Sequence, residues 1–344
     1  MWKRKIIMSA AICIAVMFTG CAYRLTTGFR PGVLAKVDGG IISMDSAKLL
    51  LSESLYSYEK LFDSGVWNET IGSVTAQEYV KASVKDTLIR MEYLKLMAED
   101  MNVVVSETEE AKLEKAAKEY WDTLARNSKT PRDFDVETVR EFYGGLLLAE
   151  KVFYEATSDI DTEVSADEAR VIDVQYIFIS TMKVSEDGGM VRLPESEYRA
   201  KKTLAESLVS LTAESDFAAL AREYSDDKEY SLQFGSGERD AEFEKAAFGL
   251  EMGGISGLVE TDYGYYIIKC INDNIESNYE KRCSEIILSR RAEAFSQLYV
   301  DFAGKIETEF NFKEYENIEM KDVPSGSGQL YEIYNRFFVS TQFD

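Results

Sequence analysis

Histidine is absent from the 344-residue chain, and that single gap removes two kinds of chemistry. A nucleophilic triad needs an imidazole to take the hydroxyl proton, so Ser225 has nothing to activate it. Zinc sites draw on histidine or closely spaced cysteines. Four cysteines, none forming a close pair, leave no metal ligand set, and no cofactor is expected. Gly235 and Gly237 in FGSG lack the strand, the following Lys and the helix of a phosphate loop and read as turn glycines. Positive charge is scarce, with 39 Lys and Arg against 61 Asp and Glu for a net charge of −22. Such a surface argues against nucleic acid and against charge-driven docking on anionic lipid. The longest apolar run, Ile6 to Phe18, falls short of the ~20 residues of a permanent membrane-spanning helix. No internal repeat is visible.

What is present begins with a leader. Lys3, Arg4 and Lys5 precede the apolar run, and Phe18-Thr19-Gly20-Cys21 closes it. Basic, apolar and small-residue regions in that order make an export signal. Cysteine directly after Gly20 is the pattern of a bacterial lipoprotein, with Phe18 and Thr19 departing from the usual leucine and small residue. Residues 1–20 therefore read as signal peptide, and Cys21 as the acylated first residue of a protein held at the outer side of the cell membrane. Loss of the leader removes three cations and no anion, deepening the negative charge. In an exported protein, Cys270 and Cys283 either pair or stand as isolated thiols.

Residues 21–32 read as a tether, and residues 33–160 as a helical domain. VLAKVDGGII, from Val33, predicts two short extended pieces about a Gly39-Gly40 turn. The spacing of Ala47, Leu50, Leu51, Leu55, Tyr58, Leu61 and Phe62 predicts a helix over 45–64. Thr75 with Glu78, and Ser106 with Glu109, form capping boxes for helices reaching Asp100 and Asn127. A fourth helix is predicted over 136–156. SDIDTEVSADE, Ser158 to Glu168, is an acidic joint without apolar periodicity.

VIDVQYIFIS, from Val171, reads as a strand, and Pro194 to Ala213 as an amphipathic helix with Leu204 and Leu208 on one side. DFAALAREYSDD follows, a short helix ending in Ser225-Asp226-Asp227. Then come FGSG, the small helix in AEFEKAAFGL, and GYYIIK, Gly264 to Lys269, after the turn Thr261-Asp262-Tyr263. A helix over 279–310 carries Ile286, Leu298 and Phe302 on its apolar side, with Lys281, Arg282, Arg290 and Arg291 outward. The tail, 323–344, starts as PSGSGQ and ends in aromatics.

The runs FAALAREYSDD, FGSG, FEKAAF and GYYIIK resemble the parvulin-type (PpiC-like) peptidyl-prolyl isomerases. Leader, tether, helices and then this domain are laid out as in foldase lipoproteins of the PrsA type and in SurA chaperones. The resemblance implies an α+β architecture: a helical, chaperone-like N-terminal domain completed by a C-terminal helix, 277–322, with a parvulin-like domain at 171–273. It implies partners as well, namely unfolded or partly folded exported polypeptides. Matched one at a time, Phe243 falls at the proline-pocket phenylalanine and Phe248 at the aromatic beside it. Thr261 falls in the turn, Arg239 where the family has a pocket methionine, and Asp227 at the family's Cys or Asp. The two family histidines fall at Tyr176 and Tyr266. Tyrosine does not titrate near neutrality, so the resemblance implies weakened isomerase catalysis. A second reading is a holdase whose parvulin-like domain only cradles peptide; a third is a structural or solute-binding surface lipoprotein.

Overall fold

The computed structural model describes residues 24–25, 28–127, 133–185 and 188–338. The leader and Cys21 lie outside the described residues. Helices and small, mostly antiparallel sheets make an α+β fold. It divides into two compact units, residues 1–160 with 291–344 and residues 161–290.

The first unit opens with β1 (Arg24–Leu25), β2 (Val33–Val37) and β3 (Gly40–Ser43), joined by a turn in which Asp38 and Gly39 take positive φ. Helices follow: α1 (Met44–Phe62), then the small hairpin β4 (Thr70–Ile71) and β5 (Val74–Thr75), then α2 (Ala76–Asp100), α3 (Glu107–Asn127) and α4 (Val136–Ala156). Both predicted capping boxes form. The Thr75 and Ser106 amides donate to Glu78 and Glu109 at 2.7 Å, and the hydroxyls accept the return bonds. The predicted α1 face is shorter than its spacing suggests, for Leu61 and Phe62 are exposed.

The second unit holds β6 (Val171–Ser180), the hairpin β7 (Met182–Val184) and β8 (Met190–Arg192), α5 (Glu195–Leu211), α6 (Phe217–Tyr224), β9 (Ser231–Gly235), α7 (Ala241–Phe248), β10 (Val259–Thr261) and β11 (Gly264–Asn272). Its main sheet runs β10-β11-β6-β9, every pairing antiparallel. Alternation along the strands loads both faces. Ile177, Ile179, Tyr265 and Ile267 pack under Leu208 of α5 and Phe217 of α6, while Val174, Tyr176 and Ile268 pack with Phe234 and Phe243. Gly264 sits where strands approach closely, since a Cβ there would meet the Ile179 carbonyl oxygen.

Expectations for the long C-terminal helix and for the tether change. The long helix α8 (Tyr279–Ala303) ends before residue 310 because Thr308–Phe310 is β12, which pairs with β1 and β2 and closes the first unit's sheet. The residues expected to be a free tether thus include a strand, β1. On α8 the buried residues are Phe295 and Tyr299, whereas Leu298 is exposed. Nor do its arginines face outward. Arg282 donates to the Ser236 carbonyl and pairs with Glu238 at 2.7 Å. Arg290 holds the Asp161 and Glu163 carbonyls and Glu168, and Arg291 the Thr157 carbonyl. Lys281 alone of the four matches the expectation, being largely exposed. Guanidinium forks suit backbone carbonyls in a way lysine does not, and apolar periodicity does not register them.

The tail is part of the first unit's core. After α9 (Phe312–Glu316), Ser327, Gly328 and the start of α10 (Leu330–Phe338) close around Glu53 of α1. Glu53 Oε1 accepts from Tyr120 O–H and Ser327 N–H at 2.7 Å and from Gly328 N–H at 3.2 Å, and Oε2 from Leu330 N–H at 3.4 Å. Gly328 takes φ +71° against the Tyr56 ring, leaving no room for a side chain.

Candidate functional site

The face of the main sheet carrying Tyr176 and Tyr266 holds the candidate site. Register places Tyr266 opposite Phe178 and Tyr176 opposite Ile268, so the two tyrosines are diagonal neighbours. Their rings lie 5.8 Å apart. Phe243 reaches down from α7, 5.9 Å from Tyr176 and 5.0 Å from Tyr266, both edge-on. Phe178 stacks on Tyr266 at 4.5 Å, and Phe234 bridges Phe243 and Phe248. Edge-on and offset contacts are the arrangements aromatic quadrupoles favour.

Asp227 is brought to this cluster by the turn after α6. The Phe178 amide donates to Ser225 Oγ at 3.1 Å, the Asp226 amide to the Phe178 carbonyl at 2.7 Å, and the Ser180 amide to Asp226 Oδ2 at 2.9 Å. Lys201 of α5 pairs with Asp226 at 2.7 Å. Ser225 is thus an acceptor that ties a turn to a strand. With the turn fixed, the Tyr176 hydroxyl meets Asp227 Oδ2 at 2.8 Å and also reaches the Glu229 carbonyl. One proton serves two acceptors there, so they compete for it.

Of Tyr176, Tyr266 and Asp227, only Tyr176 and Asp227 are hydrogen-bonded to each other. No hydrogen bond joins the Tyr266 hydroxyl to either partner among the described residues; Tyr266 contributes a ring. Burial pushes the Tyr266 hydroxyl up to about 12, Asp227 adding to the rise and Arg239 opposing it. Burial raises Tyr176 too, as does its bond to Asp227, again with Arg239 opposing. Arg239 is exposed in the loop before α7 and acts on both tyrosines through its charge. Each phenol stays protonated well above neutral pH. Any X-Pro isomerisation by this site is therefore expected to be level from pH 6 to 9, whereas Tyr176→His with Tyr266→His should introduce an inflection near ~6.5. Rate against pH for both proteins checks this.

Phe243 is almost fully buried and Phe248 half-buried. Thr261 is turned to its own turn, accepting from the Tyr263 amide and donating to the Gly264 carbonyl. It also borders a cavity of about 530 Å³ that includes Arg192, Tyr198, Asp240, Glu260 and Asp262. Cys270 is buried and Cys283 half-buried, both free thiols. Among the described residues no cluster of acidic and cysteine side chains forms a metal site.

The sequence model of the rotamase family, PPIC-type PPIASE domain, matches residues 179–272. The chain carries a parvulin-type domain at these residues and is similar to PrsA foldases. It is 28% identical over 285 residues to the foldase protein PrsA of Caldanaerobacter subterraneus subsp. tengcongensis, covering 78% of this chain and 82% of the relative. Against foldase protein PrsA 1 of Listeria monocytogenes it is 28% identical over 269 residues, covering 74% and 82%. Among solved structures, the peptidylprolyl isomerase PrsA of Bacillus cereus aligns with a TM-score of 0.38 and 20% identity, covering 80% of this chain and all of that one. Tyr176 lies just before the matched parvulin-type segment, and Asp227, Arg239, Phe243, Phe248, Thr261 and Tyr266 lie within it.

Three supporting residues escaped the motif reading of the parvulin-type domain. Glu244 on α7 accepts from the Gly237, Glu238 and Arg239 amides at 2.7–3.0 Å and so orders the loop that carries Arg239. Arg170, just before β6, donates to the Phe248 carbonyl at 2.8 Å and lies 4.9 Å from the Phe248 ring. Phe178 supplies the stacking partner of Tyr266. Glu244, an acid in the first turn of α7 just after a glycine-bearing loop, was the one such signal readable in advance.

Proposed function

We propose that this protein is a membrane-tethered foldase that acts outside the cytoplasm and turns over X-Pro bonds in exported polypeptides, more slowly than a histidine-bearing parvulin would. X-Pro exchange takes tens to hundreds of seconds unaided. Catalysis requires only that the twisted amide be bound better than the planar ones, which apolar ring contact and fixed polar groups can supply. The observation that carries the reading is Tyr176 bonded to Asp227 beneath Phe243 and Phe248, in the positions where the family resemblance places its polar cluster and proline pocket.

Tethering rests on the leader and Cys21. Two acyl chains would anchor the protein, each buried methylene contributing ~0.8 kcal/mol. Cys21→Ala is expected to move the protein from the membrane pellet to the soluble fraction of fractionated cells; an unchanged membrane share would contradict the anchor. The isomerase part is tested on a reduced, unfolded client whose refolding is limited by proline. Catalytic amounts of the protein are expected to speed its slow phase, and an unaltered slow phase with suppressed aggregation would favour the holdase reading.

A further inference from the structure

Helices α3 and α4 of the first unit border a cavity of about 480 Å³ that has no part in the proline site. Its wall is apolar at Val103, Leu147 and Tyr154 and charged at Glu109, Glu150, Lys151 and Glu155. Lys151 is committed to Glu109 at 2.7 Å. That leaves Glu150 and Glu155 with no ion-pair partner among the described residues.

Glu150 is the unusual member. It is only 5% exposed, and its Oε1 has no hydrogen-bond partner. The Tyr334 hydroxyl of α10 is set against this carboxyl. Burial raises the Glu150 carboxyl above its ordinary range, the Tyr334 hydroxyl opposing the rise. A carboxyl held this way, at the end of an apolar wall and without a cation, is half of a recognition pair.

We propose that this cavity binds a primary alkylammonium, the side chain of a lysine in an extended polypeptide, with its methylenes along Val103, Leu147 and Tyr154 and its ammonium on Glu150. A long aliphatic stem with a charged tip matches an apolar wall with a buried acid. The volume falls within the ~300–1,000 Å³ of small-ligand sites and far exceeds the ~30 Å³ share of one water. The excess of acid over base at the cavity and in the whole chain selects a cation. A polypeptide source rests on the client-binding reading above; the ammonium chemistry does not.

The test titrates the full-length chain with a labelled, unstructured peptide carrying one central lysine, and with the same peptide carrying norleucine. The lysine peptide is expected to bind about tenfold more tightly. That preference should fall below about twofold in Glu150→Gln and, with Glu150 left in place, in Val103→Trp, which fills the cavity. Circular dichroism melting identifies a variant that fails to fold, and either variant alone decides the matter. Equal affinity for the two peptides, or a preference unchanged in a folded variant, would mean the cavity holds only water and would overturn the proposal. n-Butylammonium that binds as tightly as the lysine peptide would overturn the polypeptide source. X-Pro turnover is not read, so a failure of the isomerase reading leaves this result interpretable.

Discussion

Glu53→Ala is expected to destabilise the first unit by about 4 kcal/mol, since it removes the shared acceptor of several donors and each buried donor left unsatisfied costs ~1–3 kcal/mol. The carboxyl gathers Tyr120 from α3, the Ser327 and Gly328 amides, and the first amide of α10 onto one point. Alanine removes the one acceptor that these donors share, in a largely buried place. The loss is a large share of the ~5–15 kcal/mol that holds a typical domain together. Urea unfolding followed by tryptophan fluorescence reads it through Trp67 and Trp121 of the first unit. Glu53→Gln should fall between, because its amide keeps one acceptor oxygen while presenting donors to donors. Protease mapping should show the tail cut first, since α10 would be released from its clasp. An Ala variant as stable as the parent would show that the tail does not depend on Glu53.

Phe243→Ala is expected to remove X-Pro turnover and to cost about 3–5 kcal/mol of stability in the second unit, the usual range for deleting a buried phenylalanine. Phe243 touches Tyr176, Tyr266 and Phe234 at once, so its ring is a core element and a site element together. Phe243→Leu separates the two roles. It keeps most of the apolar volume and should cost about 1 kcal/mol, while the edge-on contacts to both tyrosines are lost. A folded Leu variant with turnover reduced at least several-fold supports a role for the ring in the site. Unchanged turnover in that variant would make Phe243 a core residue only.

What was legible in the sequence, and what was not, divides by distance along the chain. Capping boxes at Thr75 and Ser106, the strand VIDVQYIFIS and the turn into GYYIIK each depend on neighbours a few residues away, and each forms as read. Contacts across the chain left little trace. The clasp of Glu53 on Ser327 joins residues 274 positions apart, and a serine-glycine run looks the same whether free or clasped. β12 was hidden inside a helical periodicity because its partners β1 and β2 lie at the other end of the chain. Arg282 and Arg291 read as exposed cations, since charge alone does not announce a backbone carbonyl waiting for a guanidinium. In the site, the residue types were visible and the bond pattern was not. Tyr176 and Tyr266 share a face by strand alternation, yet only Tyr176 finds Asp227, because the Ser225-Asp226-Asp227 turn is stitched to the β6 edge at Phe178 and Ser180.

The measurement that bears most directly on the central claim is the cis-trans exchange rate of a short X-Pro peptide, followed by NMR line exchange with the full-length protein at catalytic concentration. The account predicts a rate above the uncatalysed one, raised further by Tyr176→His with Tyr266→His. An exchange rate equal to background in the parent protein, with peptide binding intact, would contradict it and leave the parvulin-type domain a cradle without turnover.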